Sequence, residues 1–347
     1  MTGYSTPELE PYMVLAQEII RRVYAEDGPE EINSWLLAQV QRLGGGHDDA
    51  RLTWPASFDL YEQIMAKRVA TAALPESERR VLTWPWETWR RIIDPLDPGL
   101  LMVLAGSDGS GKTLYAENLA EHWARRGMNV VFLHFELNRA LMLDRRTVRH
   151  TGIARRILKE GKLTAQQEAE RQRANDTLRA WPGSITYVHS PGWTMEKAMG
   201  EVSALVGDDL CDVFIVDYLE KAAPSTRQLK SHGSNVFARE ADDVEIVKRT
   251  AEQTERPGVL LAQLNKSGKR ESFDSLDRTS IRGAGEKTEK ANIVVLFHRE
   301  SNESQIVKVR VDKNTLGPCG SFEQFLEAGR FLVNDVTAEP TDEQWGF

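Results

Sequence analysis

At 347 residues the chain is long enough for two domains, or for one large α/β domain with an appendage. Acidic residues outnumber basic ones, 52 to 44, and the net charge of −8 argues against a protein that coats nucleic acid over its whole surface, while leaving room for a local basic channel. No apolar run reaches the ~20 residues of a membrane span, residues 1–10 lack the basic-then-apolar order of a signal peptide, and Cys211 and Cys319 alone make no disulfide framework or zinc site, so a reducing, cytoplasmic setting is expected.

Residues 1–72 are helical by period. Tyr12, Leu15, Ile19, Ile20 and Val23 space like one helix face, and Ile32, Trp35, Leu36, Val40 and Leu43 like another, stopped by Gly44-Gly45-Gly46. A third helix is expected from Ser57 to about Thr71, with Phe58, Tyr61, Ile64, Met65 and Val69 on one side and Ser57 or Asp59 as its cap. Two readings stay open for this region: a small helical bundle, or a third helix that docks on a neighbouring subunit. Residues 73–98 are rich in Pro (75, 85, 95, 98) and Trp (84, 86, 89), which predicts a packed lead-in rather than a slack linker. The tetrapeptide Leu-Thr-Trp-Pro occurs at both 52–55 and 82–85, but the flanks do not repeat.

From residue 99 strands and helices alternate. Apolar runs at Leu100–Ala105, Asn129–Phe135, Ile185–His189, Asp212–Tyr218, Gly258–Leu264 and Asn292–His298 read as buried parallel strands. Helices are expected over 113–126, 138–160, 164–181, 194–206 and 237–255, and antiparallel strands over Gln305–Val311 and Phe322–Val333, with a turn at Leu316-Gly317-Pro318. The predicted fold is α/β: a doubly wound, mostly parallel sheet with antiparallel C-terminal strands, preceded by a small helical region. Four segments follow: 1–72 helical, 73–98 connector, 99–335 main domain and 336–347 tail.

Residues 106–113 read Gly106-Ser107-Asp108-Gly109-Ser110-Gly111-Lys112-Thr113, the form G-x-x-x-x-G-K-[ST], set between the first strand and a helix. A glycine-rich turn opening a helix aims backbone N–H groups and the positive end of the helix dipole at one point, where phosphate oxygens can sit. Lys112 is placed to reach the β- and γ-phosphates of ATP, and Thr113 to ligate Mg²⁺. Hydrolysis needs further groups, and three other strand ends supply them. Asp217 ends a hydrophobic strand in the manner of a second Mg²⁺-side carboxylate. Glu136 follows the second strand, where it can polarise water, and Gln263 ends the fifth, where an amide can bond a γ-phosphate.

This order resembles the RecA-like motor domain of the DnaB-type replicative helicases. The resemblance rests on Gly106–Thr113, Phe132-Leu133-His134-Phe135-Glu136-Leu137, Ile215-Val216-Asp217-Tyr218-Leu219, Leu261-Ala262-Gln263-Leu264-Asn265-Lys266, Ile281-Arg282-Gly283-Ala284-Gly285 and Lys313–Pro318, and covers about residues 82–335. It implies Glu136 as catalytic base, Asp217 at Mg²⁺, Gln263 as γ-phosphate sensor, a homo-hexameric ring with ATP sites between subunits, and single-stranded DNA in the pore. It further implies Arg282, Gly283 and Gly285 as a loop gripping the DNA backbone, with Arg227 and Lys230 as candidates for a second pore loop, and Lys266, Lys269 and Arg270 adding positive charge. A primase or a helicase loader is the partner class that such a motor takes.

The chain departs from the family in two places. Where relatives carry Lys-x-Arg reaching into the neighbouring site, it has Lys313-Asn314-Thr315, so the lysine is present and the arginine is replaced by Thr315. Arg310 lies three residues from Lys313, and strand alternation predicts that it faces the other side of the sheet. The N-terminal zone is also short for the family's helical collar, which suits a compact phage or plasmid type. A RecA-like DNA-binding ATPase that switches without unwinding is the alternative.

Overall fold

The computed structural model describes residues 10–24, 28–29, 31–33, 35–36, 39, 54–75, 78–136, 139–265, 272–281 and 288–336. Nine strands form one sheet: β1 (Leu101–Gly106), β2 (Asn129–His134), β3 (Ser184–His189), β4 (Val213–Asp217), β5 (Gly258–Gln263), β6 (Ile293–His298), β7 (Ile306–Asn314), β8 (Gly320–Glu327) and β9 (Leu332–Asp335). Their order across the sheet is β3-β2-β4-β5-β1-β6-β7-β8-β9, parallel through β6 and antiparallel beyond. The α/β class and the mixed sheet are therefore those expected from sequence.

Burial follows position in the sheet. Central β1 and β4 are buried at every residue because helices cover both faces, which is why they read as unbroken apolar runs. β7, near the edge, alternates along Ile306–Val311 and buries Val307, Val309 and Val311. Among the described residues the helices include α1 (Glu10–Tyr24), α2 (Trp54–Ala73), α3 (Glu87–Arg90), α4 (Lys112–Arg125), α5 (Arg139–Thr151), α6 (Arg155–Glu160), α7 (Ala165–Arg179), α8 (Met195–Gly207), α9 (Thr226–His232) and α10 (Val236–Thr254). One core layer holds α4 and the tryptophan-rich connector against the sheet, and the other holds α8 and α10.

The connector is part of that first layer. Trp84, Trp86 and Trp89 are buried, and each indole finds an acceptor: Trp84 donates to Ile93 O at 2.7 Å, Trp86 to Val333 O at 2.7 Å and Trp89 to the buried Gln324 Oε1 at 3.0 Å. The last two bonds tie the lead-in to β8 and β9, so the beginning and end of the α/β body close on each other. A large aromatic can be buried only if its polar edge is satisfied, and here each one is.

Several expectations need correction. The run expected at 138–160 is two helices, divided where Gly152 takes φ 68°. The run expected at Phe322–Val333 is two strands, β8 and β9, joined by a turn. Helix α9 was not expected at all. Its signal was present, because Ser225 and Gln228 form a reciprocal capping box at its start. Ser57 and Asp59 cap nothing: both lie inside α2, where Ser57 Oγ donates to Trp54 O at 2.6 Å. Finally, Arg310 and Lys313 share a face. Their β6 partners are Leu296 and Val294, two residues apart, because a bulge at the Val294/Val295 step places one extra residue in β7. An extra residue inverts the alternation beyond it.

α2 presents a long uncovered apolar face. It has no buried residue, and Trp54, Phe58, Leu60, Tyr61, Ile64 and Val69 are exposed. Much of the second helix expected in this region lies outside the described residues, so the bundle and docking readings of residues 1–72 both stand. No helix among the described residues is long and apolar enough to cross a membrane.

Candidate nucleotide site

β1 delivers its last residue, Gly106, to the sheet's C-terminal edge, and α4 starts at Lys112. The turn between them requires glycine. Gly109 and Gly111 have φ 77° and 98°, and a Cβ on Gly106 would run into Ser110 Oγ and the Phe297 carbonyl. The Lys112 ammonium lies over the loop, bonded to Gly106 O at 2.8 Å and Ser107 O at 2.9 Å. Ser110 is fully buried, and its hydroxyl has no hydrogen-bond partner among the described residues.

The neighbouring strands bring the other groups to the same edge. Gln263 pairs with Gly106 across β1 and β5, and Asp217 pairs with His134 across β4 and β2. Phe135 N donates to Asp217 O at 3.0 Å, which carries the chain from β2 to Glu136 on the same side. Across β2-β4-β5-β1 the sheet therefore presents Glu136, Asp217, Gln263 and the glycine loop in sequence. This is the crevice outside parallel strand ends in which α/β proteins bind ligands.

Asp217 is buried, and burial pushes its carboxyl up to about 7; a hydrogen bond with Thr113, Lys112 and Arg145 work in the opposite direction, and Glu117 reinforces the rise. Its Oδ1 has no hydrogen-bond partner among the described residues. A buried carboxyl beside a threonine hydroxyl, with one oxygen unmatched, fits a hard divalent cation bound through oxygen. Glu136 is exposed, 3.6 Å from Lys221 Nζ, and bonded with the Tyr218 hydroxyl, whose own ionisation is suppressed by burial and then by Glu136. Gln263 Nε2 donates to Asp108 Oδ1 at 2.9 Å, and its backbone N–H donates to Glu220 Oε1 at 3.1 Å.

Other expected residues lie elsewhere. Lys313 sits three residues back along β6 from Phe297, the partner of Gly106, at roughly 3.3 Å per residue. There its ammonium bonds Thr288 O at 2.8 Å and Glu289 O at 3.0 Å, so the chain's own fold does not bring it into the crevice. Thr315 is exposed at the end of β7. Arg227 is on α9 rather than in a loop, and its guanidinium pairs with Glu196 at 3.4 Å and Asp242 at 3.5 Å; Lys230 is exposed on the same helix. Arg282, Gly283, Gly285, Lys266, Lys269 and Arg270 lie outside the described residues. The bases of their two loops are described and joined, for Leu264 bridges Ile281 and Asn265 N donates to Ser280 O at 2.8 Å.

Sequence reasoning missed two supports. Arg299, after β6, donates to Gly109 O at 2.6 Å while holding Asn302 O and Ser304 O, and the Asn302 side chain covers the Cα of Gly109. Behind the loop, Glu117 and Glu121 on α4 are buried against Arg145, Arg149 and His150 on α5. The i, i+4 spacing within each helix marks matching charged faces, but nothing local says that the two faces meet.

The chain has relatives over about three fifths to four fifths of its length. It is 22% identical over 242 residues to the replicative DNA helicase DnaB of Geobacillus stearothermophilus, covering 67% of this chain and 52% of the relative. It is 23% identical over 297 residues to replicative DNA helicase DnaB of Treponema pallidum (strain Nichols), covering 79% and 64%. The chain thus spans between about half and two thirds of these relatives. Its fold matches a solved DnaB-like replicative helicase, described with its interactions with primase, at a TM-score of 0.73 and 14% identity over 95% of this chain and 76% of that one. The family model of the DnaB-like helicase C-terminal domain matches residues 87–330, from α3 through β8, and the chain belongs to that family.

Proposed function

We propose that the chain is an ATP-hydrolysing motor that moves on single-stranded DNA and unwinds duplex during replication. The observation that carries this reading is the meeting of Lys112, Thr113, Asp217, Glu136 and Gln263 at one sheet edge. In this reading Gly106 through Thr113 cradle the triphosphate, Thr113 and Asp217 hold Mg²⁺, which neutralises charge on the phosphates, and Glu136 draws a proton from the attacking water. Gln263 senses the γ-phosphate. Its strand runs directly into the Leu264–Ile281 bridge, which makes a short mechanical path to Arg282, Gly283 and Gly285 as DNA-gripping residues. Lys230, and more weakly the paired Arg227, add positive charge beside the DNA.

A ring completes the site. Lys313 lies outside its own chain's crevice, which suits action on a neighbour's nucleotide, and the exposed apolar face of α2 suits docking on that neighbour. The assembly is a homo-hexamer working in the cytoplasm, with residues 1–72 as its interaction region, 73–98 as connector, 99–335 as motor and 336–347 as tail. A primase or helicase loader is its protein partner.

Strand separation of a forked duplex with ATP and Mg²⁺ tests this, comparing the intact chain with Lys112→Ala and Glu136→Gln. Unwinding by the intact chain alone is expected, with Glu136→Gln losing about 10²–10⁴-fold in hydrolysis while still binding nucleotide. DNA-stimulated hydrolysis without unwinding would leave a RecA-like switch instead. A monomer in sedimentation under all nucleotide conditions would remove the roles given to Lys313 and α2.

A further inference from the structure

Asp108 is an acidic residue inside a loop that the proposed function assigns to phosphate, where a carboxylate is electrostatically unwelcome. Its contacts give it a use. Gln263, the strand-end neighbour of Gly106, donates its amide nitrogen to Asp108 Oδ1 at 2.9 Å. An ionised carboxylate only accepts hydrogen bonds, so it can hold the –NH₂ end of the amide and never the carbonyl end. The –NH₂ group has two hydrogens, and Asp108 takes one. Without such a partner the terminal torsion of glutamine is broad and roughly two-fold, so carbonyl and –NH₂ ends exchange at little cost.

We propose that Asp108 is a positioning residue for Gln263, fixing the amide so that its second N–H rather than its carbonyl is presented to the terminal phosphate. Both partners are held from behind. The Gln263 backbone is anchored to Glu220, and the peptide after Asp108 is anchored by Arg299 and covered by Asn302. The carboxylate and the amide therefore meet from two fixed supports. The proposal rests on the nucleotide reading of this site and adds a division of labour within it: one loop residue orients the sensor instead of touching phosphate.

The test is steady-state hydrolysis by the full chain with ATP, Mg²⁺ and oligo-dT, for Asp108→Ala, Asp108→Asn, Gln263→Ala and Asp108→Ala with Gln263→Ala. Asp108→Ala is expected to lower kcat about 3- to 10-fold, the worth of one modest hydrogen bond. Asp108→Asn, whose carbonyl still accepts, retains most of the rate. Both variants remove the same negative charge, so both lower KM alike, and only kcat separates them. In the Gln263→Ala background Asp108→Ala costs nothing further. Asp108 is exposed, so the thermal midpoint should not move, and Asp108→Ser, too short to reach, should repeat the Asp108→Ala result.

An unchanged kcat in Asp108→Ala, equal losses in the alanine and asparagine variants, or the same loss with Gln263 already removed would each overturn the proposal. Lys112→Ala separates this from failure of the site reading. If that variant hydrolyses ATP normally, the nucleotide site itself is wrong. If it is inactive while Asp108→Ala is unimpaired, only the role of Asp108 falls.

Discussion

Trp54 and Trp84 stand in the same tetrapeptide, Leu-Thr-Trp-Pro, yet one is 77% exposed and the other 1%. Trp54 and Pro55 begin helix α2, where no residue is buried. Trp84 lies on an extended approach to α3, packed at tilted angles against Trp89 and Trp123 at centroid separations of 5.3 and 6.0 Å. Local sequence therefore does not decide which tryptophan is core. What decides is whether the chain returns a partner surface, and Ile93, Trp89 and Trp123 of α4 supply one for Trp84. The stretch from Leu82 to β9 buries its tryptophans within its own fold, whereas the apolar face of α2 meets no core among the described residues.

That contrast can be broken or sharpened by experiment. The largest effect is expected from Trp84→Ala, which should lower stability by about 3–5 kcal/mol in chemical denaturation. Trp54→Ala should stay within about 0.5 kcal/mol for the isolated chain. Equal losses would erase the distinction between the two regions.

A smaller effect is pH dependence confined to the α/β body. The folded carboxyl of Asp217, at about 7, lies above its ordinary value near 3.8, so the folded state binds the extra proton between those limits. Its contribution to stability is thus lost as pH rises from about 4 to about 7, with a slope of at most about 1.4 kcal/mol per pH unit. Asp243, pushed up to about 7 by burial, acts in the same direction. Asp217→Asn should flatten its share of the slope in pH-dependent unfolding, and Mg²⁺ with nucleotide should reduce it in the unmutated chain. An unaltered slope in Asp217→Asn would mean that its carboxyl is ionised throughout.

Next in size, Phe58→Asp together with Ile64→Asp on α2 should leave the unfolding midpoint in place while dissociating the proposed assembly in sedimentation. A large fall in stability would instead show that α2 packs on its own chain. Smallest is the charge on α9. Lys230→Ala should reduce the salt slope of DNA binding by about one, and Arg227→Ala by less, because acids already pair with Arg227.

The glycine-rich loop was legible because it is a local device. Glycines at fixed offsets, an apolar strand before and a helix after are all written within a few residues. Asp217, Glu136 and Gln263 were legible for a related reason, since each ends an apolar run and parallel strands share one C-terminal edge. The Arg299 clamp was not, because Arg299 reaches Gly109 only after β6 has been laid beside β1. Nor was the common face of Arg310 and Lys313, since a bulge is a mismatch between two strands and has no signature in one. Helix α9 announces itself only through the capping box of Ser225 and Gln228, because Thr226–His232 holds one apolar residue, Leu229, and so carries no helical periodicity.

The sequence by itself determined the alternating strands and helices, the phosphate loop and the residue types at the strand ends, since these depend on periodicity and on backbone conformations that only certain residues adopt. Tertiary structure alone decided which tryptophan is buried, that Gln263 meets Asp108, that Arg227 is already paired and that α2 is left bare. These outcomes depend on which surfaces the chain brings together over long separations, and burial, pairing and pKa respond to that meeting rather than to the neighbours in sequence.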